Sequence, residues 1–185
     1  MSNEIIDNIF KRRSIRRFQK TDVEVEKLEW LLKSAMAAPT ACNNQAWEFI
    51  VVTDKNLLNK LRQNLEYGPY DAPAAIIPCF NPKLVRNPRC EPFWVQDLSA
   101  AIENMLLAAV SLGLGAVWLG VYPKEDIMAF TRKSFKIPDE VIPLAVVMTG
   151  YPAENKQPRT QYLKERVFWQ VFGKSESSGP IAPEE

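Results

Sequence analysis

Histidine is absent from all 185 residues. That absence removes Ser-His-Asp and Cys-His catalysis, the H-E-x-x-H zinc proteases and His-ligated haem together. An enzyme built this way draws its chemistry from something bound. Cysteine is scarce: Cys42, Cys79 and Cys90, with no C-x-x-C pair. Neither a zinc ribbon nor a thioredoxin-type motif is supported, and an odd, sparse set suits a reducing cytoplasm better than a disulfide framework. Glycine is low at seven residues. There is no Walker A and no G-x-G-x-x-G; after Gly113-x-Gly115 the third glycine's place is held by Trp118. The net charge of +1 argues against nucleic-acid binding through global charge. The opening Met-Ser-Asn-Glu-Ile-Ile-Asp is acidic and mixed, so no secretory leader is expected.

One uncharged stretch, Asn104–Pro123, is 20 residues long, the usual minimum for a membrane span. A helix stopping at Gly113–Gly115, followed by a strand, explains it as well, and no membrane association is expected.

The periodicity predicts helices interleaved with strands, an α/β or α+β layer structure. Ile5, Ile6, Ile9 and Phe10 mark an amphipathic helix over 3–11. A second helix is capped by Thr21 or Asp22, with Val25, Leu28, Leu31, Leu32 and Ala35 on one face and Pro39 beyond its end. Trp47–Thr53 reads as a strand, followed by a helix that Asp54 caps. Ala74–Phe80 is a second strand, Asn81–Pro92 a loop, and Asp97–Leu112 the longest helix. Ala116–Val121, a helix over Lys124–Phe130 and a strand over Ile142–Thr149 complete the pattern. Val167–Phe172 is a last apolar patch, and 173–185 a polar tail.

Two constellations carry chemistry. Residues 11–20, K-R-R-S-I-R-R-F-Q-K, are densely basic and contain no acid. A solvated turn, an acidic-partner or nucleic-acid patch, and a phosphate site all remain open. Local geometry favours phosphate: on an extended chain Arg12, Ser14 and Arg16 share one face, and a hydroxyl between two guanidiniums suits a phosphomonoester. Arg13 and Arg17 then point elsewhere. The second constellation, Ala37–Trp47, is small, polar and uncharged. Its Asn and Gln side chains supply paired donors and acceptors, and small residues at Ala41 and Cys42 let backbone approach a flat ligand. An Asn-rich turn is the plain alternative. Cys42 lacks a histidine to activate it, and no C-x-x-C spacing guarantees contact with Cys79 or Cys90, so a redox role is not expected.

Taken together, R-R-S-I-R-R-F at 12–18 and A-P-T-A-C-N-N-Q-A-W-E-F at 38–49 resemble the FMN-dependent nitroreductase family. G-L-G-A-V-W-L-G at 113–120 and G-Y-P-A-E-N-K-Q-P-R at 150–159 resemble its later signatures, in the family's order. The likeness covers about 4–172, and the chain is most similar to compact members. It departs at Thr40, where Ser is commoner, at Ala46, where Pro is commoner, and over 62–97, which shapes the substrate pocket.

The resemblance implies an α+β sandwich with a central, mostly antiparallel sheet flanked by helices. It implies a single FMN-binding domain over 1–172 and an interwoven homodimer with FMN at the interface. Arg12, Arg13 and Ser14 match the residues holding phosphate and ribityl chain, and Arg16 the basic residue near N1 and O2 of the flavin. Pro39, Thr40, Ala41 and Asn43 match the loop lent by the partner subunit. Trp118, Leu119 and Gly120 match backbone beside N5, and Arg159 a second phosphate contact. Cys42 and Tyr70 are expected to line the acceptor pocket. No side chain is expected to be catalytic and no metal to bind. The resemblance further implies hydride transfer from NAD(P)H through flavin N5 to a nitro compound, quinone or other conjugated small molecule, in ping-pong fashion. A flavin relative with other reductive chemistry, or a non-enzymatic phosphate-ligand or nucleic-acid binder using 11–20, are the alternatives.

Overall fold

The strand β2 (Ala74–Phe80, sequence AAIIPCF) is buried at every position. A strand covered on both faces reads as a continuous apolar run, and this one forms the middle of the sheet. The computed structural model describes residues 3–65 and 67–173. β2 pairs antiparallel with β1 (Trp47–Val52) and with β5 (Ala145–Gly150), and β5 pairs with β3 (Gly115–Gly120), giving the order β1-β2-β5-β3. The short β4 (Ile142–Pro143) also pairs with β2. Every pair of named strands is antiparallel.

Alternation sends side chains to two core layers. Ala74, Ile76, Ala145 and Val147 pack with α2 (Val25–Met36) and α4 (Trp94–Ser111) through Leu28, Leu31, Leu98, Ile102 and Met105. Ala75, Ile77, Val146 and Met148 face α3 (Lys55–Asn64) and α5 (Glu125–Phe135) through Leu61, Ile127 and Met128. Each fully buried Ile, Leu or Met contributes about 1.5–3 kcal/mol. Helix α1 (Glu4–Lys11) lies outside both layers, against α4.

Several boundaries move. The α2 cap is Glu24, with no side-chain capping bond, rather than Thr21 or Asp22; Val25 is 71% exposed and leaves the apolar face. Helix α5 runs on to Phe135 and stops at Lys136 in the left-handed region. The strand expected over Ile142–Thr149 is broken at Leu144. There the Leu144 N–H donates to the Pro78 carbonyl, and its own carbonyl accepts from Val121 and Tyr122. The loop over Asn81–Pro92 contains two 3-10 turns, Pro82–Leu84 and Pro88–Phe93, capped by Asn81 and Asn87. Beyond Gly173 the expected polar tail lies outside the described residues.

The uncharged stretch is a helix, a turn and a strand. Gly113, at φ +71°, ends α4: its N–H donates to Val110 and that of Leu114 to Ala109, the paired bonds of a Schellman cap. No helix among the described residues is long and apolar enough to cross a membrane.

Candidate functional site

Past the end of α1 the chain turns extended at Arg12 and crosses onto the edge of β3. The Arg12 N–H closes α1 on Asn8, and the Ile15 N–H donates to Ala116 at 3.0 Å in a parallel bridge beside Ser14. Gly115 permits this approach, since a Cβ there would lie 2.7 Å from Ile15. The segment 151–159 then folds back over the same stretch. Gln19 donates to Tyr151, Ala153 to Arg17 and Arg159 to Phe10, at 2.8–3.0 Å. Residues 10–19 are thereby clamped between β3 and the chain after β5.

The clamp encloses a cleft of about 440 Å³ between Lys11–Arg13, the α4–β3 turn and 152–158. Lys11, Arg12, Arg13 and Lys156 line it against one carboxylate, Glu154. Arg12 pairs with Glu103 of α4 at 3.3 Å, and Arg13 donates to the Gln157 carbonyl. Glu154 accepts the backbone N–H groups of Arg16 and Arg17 and pairs with Lys156 at 3.2 Å; Lys156 also donates to the Ser14 carbonyl at 2.6 Å. The Arg16 N–H above all holds the Glu154 carboxyl below its ordinary value, outweighing desolvation, with Lys156 adding to it. The cleft keeps a positive excess, which suits a phosphomonoester dianion.

This differs from the period-two expectation. Arg12 and its neighbour Arg13 line the cleft together, whereas the side chains of Ser14 and Arg16 do not. Arg16 and Arg17 are exposed, and their backbone, not their guanidiniums, is what Glu154 holds. Arg159 is exposed beside the cleft and tied to it through its N–H. Lys11, Glu154 and Lys156 lie within the quoted motifs but are not singled out by the sequence as site residues. The acid and base of Glu154-Asn-Lys156 gave a local signal, but their partners lie some 140 residues away.

The second constellation forms at the opposite end of α4. The Ala41 N–H donates to Asp97 at 2.8 Å, and Gln45 N–H to the Thr40 hydroxyl at 3.2 Å. Asn44, buried, is its anchor: its Oδ1 accepts from Arg86 and Asn87, and its Nδ2 donates to the Asn87 carbonyl. Cys42, Asn43 and Gln45 sit at φ of 51–53°, a region costly for residues other than glycine. Cys42 is joined to Cys90 on the Pro88–Phe93 turn, with Cα atoms 6.1 Å apart. Cys90 is thus within reach of Cys42, a contact that the sequence spacing does not guarantee. Tyr70 packs on the second core layer near the Ala74 end of β2, while Cys42 precedes Trp47, which pairs with Phe80 at the other end. Within one protomer the two do not share a pocket.

Pro39 and Asn43 are exposed and Thr40 and Ala41 half-buried. On β3, Trp118 and Gly120 face outward while Leu119 packs inward, and a Cβ at Gly120 would meet nothing within 4 Å. None of these seven residues lines the basic cleft. Among the described residues no group of side chains could hold a metal ion.

A family model described as the Nitroreductase family matches residues 9–66 and 62–151. The chain belongs to the nitroreductase family. It is 45% identical, over 166 residues, to a provisionally named NADH dehydrogenase/NAD(P)H nitroreductase of Methanothermobacter thermautotrophicus, covering 89% of this chain and 85% of the relative. A similarly named protein of Bacteroides thetaiotaomicron, solved by crystallography, superposes at a TM-score of 0.86 with 37% identity, over 93% of this chain and all of that one. A provisionally assigned nitroreductase from Desulfovibrio desulfuricans, solved in complex with FMN, superposes at 0.77 with 29% identity, over 93% and 99% of the two chains. The α+β sandwich expected of a nitroreductase is therefore the fold.

Proposed function

We propose that this chain is an FMN-dependent NAD(P)H oxidoreductase, a single domain over 1–172 that works as a cytoplasmic homodimer and reduces a small conjugated acceptor such as a nitro compound or quinone. The observation that carries the reading is the basic cleft at the end of α1. Its Lys11, Arg12, Arg13 and Lys156 fit a terminal phosphate, and the chain has no dinucleotide fingerprint for an adenosine half. FMN, when bound, supplies hydride transfer between NAD(P)H and the acceptor.

The chain's own residues bind and orient. Arg12 and Arg13 neutralise phosphate, each already aimed by a second contact, to Glu103 and to the Gln157 carbonyl. Arg16, exposed beyond the cleft, presents a cation that favours negative charge on a ring placed against it. Trp118 and Gly120 give β3 an outward strip with open space for a flat ligand. With no histidine and no metal cluster among the described residues, no side-chain acid or base is assigned at the acceptor.

A dimer reconciles the two constellations. Residues 39–43 lie away from the cleft of their own protomer, as a loop lent to the partner's cofactor would. Ile5, Trp30 and Met36 are exposed apolar residues on α1 and α2, and a groove of about 470 Å³ runs from Ile5 and Trp30 to Leu107 of α4. Phe168, Trp169, Val171 and Phe172 are exposed too, Phe172 at 90%. A partner covering them would recover about 1.5–3 kcal/mol for each large side chain fully buried.

Anaerobic addition of NADH or NADPH to the purified holoprotein is the test. Loss of the flavin's visible absorption, and its return on adding a quinone, is the expected result. A flavin band unchanged by both donors overturns the reading.

A further inference from the structure

We propose that Cys42 and Cys90 are a reversible dithiol–disulfide pair, open to small-molecule thiols, which in its closed form fastens the Thr40–Gln45 loop to the Pro88–Phe93 turn. The two residues are 48 apart in sequence and their Cα atoms are 6.1 Å apart, inside the range a disulfide spans without backbone movement. Within one protomer Cys42 is exposed and Cys90 half-buried.

Cys79 provides the contrast. It is buried in β2, and burial pushes its thiol up to about 12, with Glu48 adding to the shift. It neither ionises near neutral pH nor reaches solvent, so it does not compete for exchange. Of the three cysteines, two are placed to react with each other and one is set aside.

The step balances with an external thiol as reductant. A thiolate attacks one sulfur of the bridge, the S–S bond breaks, and the other cysteine leaves as thiolate and takes a proton. A second thiol displaces the first from the mixed disulfide, releasing the oxidised small-molecule disulfide and leaving two cysteine thiols. Oxidation by that small-molecule disulfide is the reverse. In a reducing compartment the open dithiol is the resting form, and closure follows an oxidising shift.

Closure matters to the loop because its backbone is poised. Cys42, Asn43 and Gln45 hold left-handed φ values. Apart from the bridge, this turn is held by Ala41 to Asp97, Gln45 to Thr40, the Asn44 clamp on residues 86–87, and the backbone bonds of Asn43 to Thr40 and Asn44 to Ala41. The Asn44 bonds to Arg86 and Asn87 involve neither sulfur, so opening the bridge frees the Cys42 side of the loop without itself breaking the Asn44 side. The thiol exchange itself does not rest on the flavin assignment.

The test equilibrates the purified full chain in buffers of reduced and oxidised glutathione, followed by acid quench, alkylation in denaturant and peptide mass mapping. Expected in the oxidising buffer is a linked Cys42–Cys90 peptide, lighter by two hydrogens, with only Cys79 alkylated. In the reducing buffer all three cysteines alkylate. Stable glutathione adducts on Cys42 or Cys90 without a linked peptide, or both thiols free in the oxidising buffer, overturn the pair. Hydrogen exchange at Ala41–Gln45 reads the fastening: reduction accelerates it at least about threefold while β2 amides stay unchanged, and Cys42→Ser and Cys90→Ser hold the faster rate in both buffers. Equal loop exchange in both redox forms overturns the fastening. A chain that failed to bind FMN would fail the functional reading and leave these measurements intact.

Discussion

Arg12 and Arg17 are five residues apart in one basic run, yet they do different work. Arg12 lines the cleft and is braced by Glu103, whereas Arg17 is exposed and contributes only backbone contacts. Arg12→Ala is expected to weaken FMN binding roughly ten- to a hundredfold, the loss of a charge-assisted contact of about 1.5–3 kcal/mol, with little change for Arg17→Ala. Isothermal titration of FMN into the apoprotein checks this, and equal losses would remove Arg12 from the phosphate site. Asn44→Ala leaves the part-buried N–H groups of Arg86 and Asn87 without their acceptor. It should lower unfolding free energy by about 2–4 kcal/mol, read from the urea midpoint. Glu154 has a folded-state carboxyl held below its unfolded value. Its charge therefore contributes stability above the unfolded value, near pH 4, and that contribution fades as pH falls through the folded value. The stability difference between wild type and Glu154→Gln should be present at pH 7 and shrink in acid. The basic run was visible in the sequence because it is local. Which of its members bear a ligand depends on Glu103, Glu154 and Gln157, and no spacing rule reaches that far.

Among the elements, β2 was legible to its ends: an apolar run bounded by Pro73 and Asn81 has no competing period. The α4 terminus was legible for a similar reason, since Gly113 marks a left-handed cap. The break at Leu144 was not, because it is made by hydrogen bonds from Val121 and Tyr122 on another element. Pairing of Cys42 with Cys90 was likewise hidden. It arises where the turn before β1 meets the turn after β2, and only the register Trp47 to Phe80 brings those ends together. The edge of β3 is where sequence and site meet most directly. Gly115→Ala would place a methyl 2.7 Å from Ile15 and push the 12–16 segment off the strand. An overpacking cost of about 1–3 kcal/mol is expected, together with weaker FMN binding. Unchanged stability and affinity would mean that the segment does not depend on this close approach.

For the whole molecule, one antiparallel sheet with a helix layer on each face carries two polar constellations that do not meet within a protomer. Light scattering should give twice 21.1 kDa, and a monomer that retained FMN would contradict a site shared between subunits. The measurement that bears most directly on the function is identification of the cofactor carried through purification. Heat denaturation of the purified protein, followed by chromatography of the supernatant, should release FMN in amounts comparable to the chain. Release of FAD, or of no flavin from a protein that also fails to take up added FMN, would contradict it.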